Sequence, residues 1–114
     1  MGIVKFEDIK AWQKAREMCI LIYQSFGGID DFGFKWQIQG ASVSIMNNIA
    51  EGFERQTNKE LRQFLYIAKG SCAEVQSMLH ISVELGHIDE NMQRELWNLS
   101  KEISKILTVF IRKL

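Results

Sequence analysis

Residues 90–114 read ENMQRELWNLSKEISKILTVFIRKL, and in them Met92, Leu96, Leu99, Ile103, Ile106, Phe110 and Leu114 recur at steps of four and three that alternate almost throughout. That spacing returns a side chain to one side of an α-helix at every turn. It predicts an amphipathic helix with a coiled-coil-like seam. Such a stripe is stable only when it is buried against other elements. The rest of the chain must therefore supply matching stripes.

Three upstream segments do so. Thr57 to Glu60 reads T-x-x-E, a capping box, and opens a stripe of Leu61, Phe64, Leu65, Ala68, Cys72, Val75, Leu79 and Leu85 that ends at Gly86. Asp89 then caps the last helix. Asp30 and Asp31 are candidate caps for a helix carrying Phe34, Ile38, Ala41, Ile45, Asn48 and Gly52 on one side. Val43, Met46, Ile49, Ala50 and Phe53 widen its apolar surface. The first helix carries Phe6, Ile9, Trp12, Cys19, Ile22 and Phe26. Glu7 and Asp8 suit the positive end of its dipole, and Gly27-Gly28 is expected to end it in a left-handed cap. The predicted helices span about 7–26, 32–53, 58–85 and 90–114. Connections of a few residues force sequence neighbours to lie antiparallel. The expected fold is all-α, an antiparallel up-down-up-down four-helix bundle, with 1–114 as a single domain.

Composition agrees. The 114 residues contain no proline, where roughly six would be ordinary, and proline is absent from helix interiors. Fourteen basic residues balance fourteen acidic ones, so bulk charge does not attract nucleic acid. Cys19 and Cys72 lie in apolar stripes and read as reduced core residues of a cytoplasmic protein. Residues 1–10 hold no apolar run of the kind a secretory signal needs, and no stretch reaches the roughly 20 apolar residues of a membrane span.

Several features invite a chemical reading. Asn47-Asn48-Ile49-Ala50-Glu51-Gly52 places two poor helix formers late in an apolar helix. A polar network joining Asn48 and Glu51 to facing helices is the expected reason; a general acid–base role for Glu51 needs a second positioned group, which the sequence does not offer. Gly40 and Gly70, the latter followed by Ser71, cost about 1 kcal/mol each inside helices, and close approach of the second and third helices is expected there. His80, Glu84 and His87 fall at i, i+4 and i+7, but Gly86 breaks the helix before a metal site forms. His80 is more than two turns from Cys72 and Ser71, so no nucleophile–base pair forms within that helix. No catalytic residue, cofactor or metal is expected. Lys10 and Lys14 in the first helix, with Lys101 and Lys105 in the last, form basic stripes that are candidate phosphate contacts. Leu107 and Ile111 run beside the final seam, and with Trp36 and Trp97 they are candidate contacts to a sister subunit.

The chain resembles the 23S ribosomal RNA intervening-sequence protein family, also called the four-helix bundle protein family. The resemblance rests on residues 6–15 (FEDIKAWQKA), on Gln39 with Val43-Ser44-Ile45 and Asn48-Ile49-Ala50-Glu51-Gly52, on Arg55, and on residues 64–71 (FLYIAKGS) with Glu74. It implies a four-helix bundle, a pentameric ring and no catalytic residues. The accessory protein of diversity-generating retroelements is similar too, and there a basic surface is linked to nucleic acid and a reverse transcriptase. Relatives often carry arginines just before Ala41, where this chain has Gln39 and Gly40, so positive charge is reduced. The resemblance therefore implies a non-enzymatic homo-oligomer, with a nucleic-acid-binding accessory role as the alternative.

Overall fold

A computed structural model describes residues 2–114. Among them, a short 3-10 turn (Phe6–Asp8) precedes four α-helices: α1 (Lys10–Phe26), α2 (Phe32–Phe53), α3 (Asn58–Ser82) and α4 (Glu90–Arg112). Each helix packs on its sequence neighbour and α1 closes against α4, giving the up-down-up-down bundle. Its length of 43 Å is that of its longest helix, 25 residues or about 37 Å at roughly 1.5 Å rise, plus the connecting turns.

The caps are local side-chain chemistry. Asp31 accepts from the Phe34 N–H at 3.2 Å, Thr57 from Glu60 at 3.1 Å and Asp89 from Met92 at 2.8 Å. The Thr57 hydroxyl in turn donates to the Glu60 carboxylate at 3.0 Å. Asp30, the other candidate, caps nothing.

Several helix ends differ from the sequence reading: α3 stops at Ser82 rather than near 85, so Leu85 leaves the buried stripe and is exposed in the following turn, and α4 stops at Arg112. The first α-helix begins at Lys10, because Ile9 is extended (ψ 121°) and buries its side chain in the core. Glu7 and Asp8 thus lie in the preceding turn, held by Gln13 Nε2 donating to the Glu7 carbonyl at 2.9 Å. Gly27 is right-handed (φ −61°); among the described residues only Gly86 takes positive φ, at 76°. It ends the turn after α3, as expected of a glycine cap.

The core is a continuous cluster from all four helices, including Met18, Ile22 and Phe26 of α1, Ile38, Ile45 and Ile49 of α2, Leu65, Val75 and Leu79 of α3, and Leu96 and Ile103 of α4. Leu107 and Ile111 belong to it. This corrects their reading as subunit contacts. A helix at 3.6 residues per turn drifts about 20° per heptad against a 3.5 repeat. By the end of α4 the inward side has moved from the line of Ile106 and Phe110 to that of Leu107 and Ile111.

Candidate interaction surfaces

The α2–α3 contact is the most extensive in the bundle, and the Asn47–Gly52 segment explains why. Ile49 is in the core and Gly52 is buried. A Cβ placed on Gly52 would lie 2.7 Å from Phe64 Cβ and 3.1 Å from Leu61 Cδ1. The absent side chain is what lets α3 approach so closely. Asn48 Nδ2 donates to the Ser44 carbonyl at 2.8 Å and to Ser44 Oγ at 3.0 Å, and Ser71 Oγ donates to Ser44 Oγ at 2.9 Å. The expected polar network is therefore Asn48–Ser44–Ser71. Glu51 is not part of it. Its carboxylate is exposed and pairs with Arg55 one turn on at 2.7 Å, and the Arg55 guanidinium lies 4.7 Å from the Phe64 ring centre.

Gly40 and Gly70 behave differently. A Cβ on either would meet nothing within 4 Å, which corrects the expectation that α2 and α3 press together there. Both glycines are exposed. Trp36 and Gly40 share one face of α2; Ile67, Gly70, Glu74 and Ile81 share one face of α3. Gln37 meets Glu74 across the seam at 3.4 Å, so the two faces adjoin. They form one outward surface on which both glycines are exposed and Gln37 and Glu74 meet. On it stand Trp36, 67% exposed, Ile67, 51% exposed, and Ile81, 46% exposed. At its α2 end Phe32, also exposed, stacks on Trp36 with centroids 6.0 Å apart. Sequence reasoning picked out Trp36 alone. Ile67 and Ile81 carried a signal that it missed: they are apolar yet fall off the buried register of Leu61, Leu65, Ala68, Cys72, Val75 and Leu79.

Trp97, the last interface candidate, is half-buried, with the His80 ring edge-on at 5.1 Å. His87 is elsewhere, 3.3 Å from Asp31 Oδ2 and against the Phe34 ring. No three His, Cys, Asp or Glu side chains among the described residues are grouped to hold a metal. The Cys72 thiol is buried and donates to the Ser100 carbonyl at 3.2 Å. Burial pushes it up to about 11, against the pull of the Lys69 charge, and so keeps it a poor nucleophile.

The basic candidates are partly gathered. Lys10 and Lys105 line one groove between α1 and α4. Glu102 lies in that groove and pairs with Lys14 at 3.6 Å, while Glu17 reaches Lys14 at 3.8 Å. Lys101 lines an adjoining cleft with Glu102 and Lys105, and its ammonium is 5.9 Å from the Trp97 ring centre.

Fold and surface together define a small antiparallel four-helix bundle with its distinctive sequence motif built into the α2–α3 seam. A family model for the 23S rRNA-intervening sequence protein matches residues 7–109. The chain belongs to that family. It is also similar to a crystal structure, at 1.70 Å resolution, of a protein with unknown function from the S23 ribosomal protein family of Bacteroides thetaiotaomicron. That likeness has a TM-score of 0.84 at 24% identity, covering 89% of this chain and 97% of the other, and it shows the shared fold. No curated protein matches the chain. No helix among the described residues is long and apolar enough to cross a membrane.

Proposed function

We propose that this chain is a non-enzymatic interaction module that works as a homo-oligomer, joined through the outward face of α2 and α3. The observation that carries the proposal is the exposed combination of Trp36, Ile67 and Ile81 around two glycines that no intramolecular contact requires. An aromatic buries roughly 150–250 Å², so this face with Phe32 holds several hundred Å² of apolar surface. That reaches the largest patches of ordinary monomers and approaches the roughly 800 Å² that each partner of a standard interface buries. Glycines within helices expose backbone and cost stability, and the missing side chain lets a partner helix come close. The ring implied by the family resemblance is one closed arrangement for such a face. Sedimentation velocity tests the proposal. The wild type should sediment as a multiple of 13.2 kDa, and Trp36→Glu with Ile67→Glu should reduce it to a folded monomer. A wild type that is monomeric at 100 micromolar, roughly ten to a hundred times a Kd of about 1–10 micromolar, would overturn it.

A second reading has its own observation. Lys10 and Lys105, neither of them ion-paired among the described residues, share the α1–α4 groove, as a phosphate-contacting surface requires. It predicts binding to structured RNA or DNA that weakens steeply with salt and is lost when Lys10, Lys14, Lys101 and Lys105 are neutralised. Unchanged mobility of RNA and DNA at low salt excludes it.

A further inference from the structure

We propose that the cleft between the end of α3 and the start of α4 is a binding site for a guanidinium group. The cleft holds about 450 Å³ and shares no lining residue with the α2–α3 face, so it does not rest on the self-association proposal. One wall is aromatic: Trp97, with the His80 ring set against it at 83°. Glu84 comes from the turn after α3 and Glu90 from the first turn of α4, and both line the cleft. Neither carboxylate is in an ion pair among the described residues. The other charged group there is Arg94, whose Nη2 donates to Asn91 Oδ1 at 3.2 Å. Two carboxylates stand against one guanidinium among the cleft's lining side chains.

The scaffold is fixed. Gln93 Nε2 donates to the Leu79 carbonyl at 2.6 Å and ties the start of α4 to the end of α3. Asp89 caps α4 just outside, so the N-terminal donors of α4 do not depend on Glu90 alone. The Trp97 ring already attracts a cation of its own chain, Lys101, at 5.9 Å, and Lys101 does not line this cleft.

An aromatic wall beside unpaired carboxylates is the arrangement that favours a guanidinium over an ammonium. The planar guanidinium stacks on an indole, is weakly hydrated and presents paired donors to a carboxylate. An ammonium is more strongly hydrated and gains less from the ring. Arg94 opposes any cation and therefore sets the affinity low.

The test is a titration with arginine amide, followed by the amide and indole signals of the isotope-labelled protein. Saturable shifts should appear at Glu84, Glu90 and the Trp97 indole. Citrulline amide, which keeps the α-amino group but replaces the guanidinium by a neutral urea of the same shape, should leave them unmoved. Glu84→Gln with Glu90→Gln should weaken binding by about tenfold, whereas Arg94→Gln should strengthen it severalfold. Both variants alter exposed side chains, and an unchanged thermal melt verifies their fold. A blocked tripeptide with a central arginine separates the sources: equal binding points to a protein side chain, and loss of binding to a free small molecule. No saturable shift, equal shifts from citrulline amide, or full binding by the double Gln variant would overturn the proposal.

Discussion

Replacing Gly52 with alanine sets two effects of opposite sign against each other. In an open helix the change stabilises by about 1 kcal/mol, because glycine loses more backbone entropy on folding. Here the new Cβ would sit 2.7 Å from Phe64 Cβ and 3.1 Å from Leu61 Cδ1. Carbon atoms prefer about 3.5–4.0 Å. Leu61 can rotate its terminal methyl away, but Phe64 Cβ is fixed to the α3 backbone, so the two helices must part. Overpacking of that kind costs about 1–3 kcal/mol, and the rigid partner places this case near the top. The net is a loss of about 2 kcal/mol. Gly70→Ala is the internal control: its Cβ enters open space, so only the helical gain of about 1 kcal/mol remains. Urea unfolding followed by circular dichroism should separate the two variants by about 3 kcal/mol at equal slope. Because Gly70 lies on the proposed subunit face, the comparison belongs in the monomeric Trp36→Glu, Ile67→Glu background. If Gly52→Ala proves as stable as Gly70→Ala, the account of the α2–α3 seam is wrong.

Ser71→Ala removes the donor to Ser44 and leaves the Asn48 bonds in place, so it should cost about 1 kcal/mol in urea unfolding; a change within error would show that the network contributes nothing across the seam. Cys72 gives a pH signature. Its folded value, about 11, exceeds the ordinary 9.0, so the unfolded chain loses its proton first. The associated stability is fully present below pH 9 and fades as pH rises to about 11, by up to about 2–3 kcal/mol; Cys72→Ala should flatten that part of the profile, and identical wild-type and variant slopes would contradict the reasoning. The same thiol should resist maleimide labelling in the native state and react at once in urea. Asp31→Asn should lower stability by a few tenths to about 1 kcal/mol, since the amide oxygen still caps α2 but the pairing with His87 weakens; a loss above about 2 kcal/mol would mean the His87 clasp carries more than a half-exposed pair can.

The bundle was legible because its determinants are local. Periodic stripes and the Asp31, Thr57 and Asp89 caps each lie within a few residues; the three caps formed where expected, and the stripes did so over most of their length. What failed was set by tertiary geometry. The drift of α4 against a heptad register decides that Leu107 and Ile111 face inward. The start of α1 is decided by burial of Ile9, which propensity cannot reveal. A glycine inside a helix looks the same in sequence whether a neighbour crowds it, as at Gly52, or nothing does, as at Gly40 and Gly70. The Asn48 network was foreseeable from its polar residues, but its partner Ser71, on a different helix, becomes a partner only once α2 and α3 are in register. The exposed face was legible in principle, through apolar residues off the buried stripe, and only Trp36 was read that way.

Small-angle X-ray scattering of the wild type tests the central claim most directly. One bundle has a Cα radius of gyration of 14.3 Å and extents of 43 × 22 × 19 Å. Self-association through α2 and α3 predicts a radius well above that value, with a forward-scattering mass several times that of one chain, and a return to the single-bundle dimensions in Trp36→Glu, Ile67→Glu. A wild type that scatters as one isolated bundle at every concentration would contradict the account.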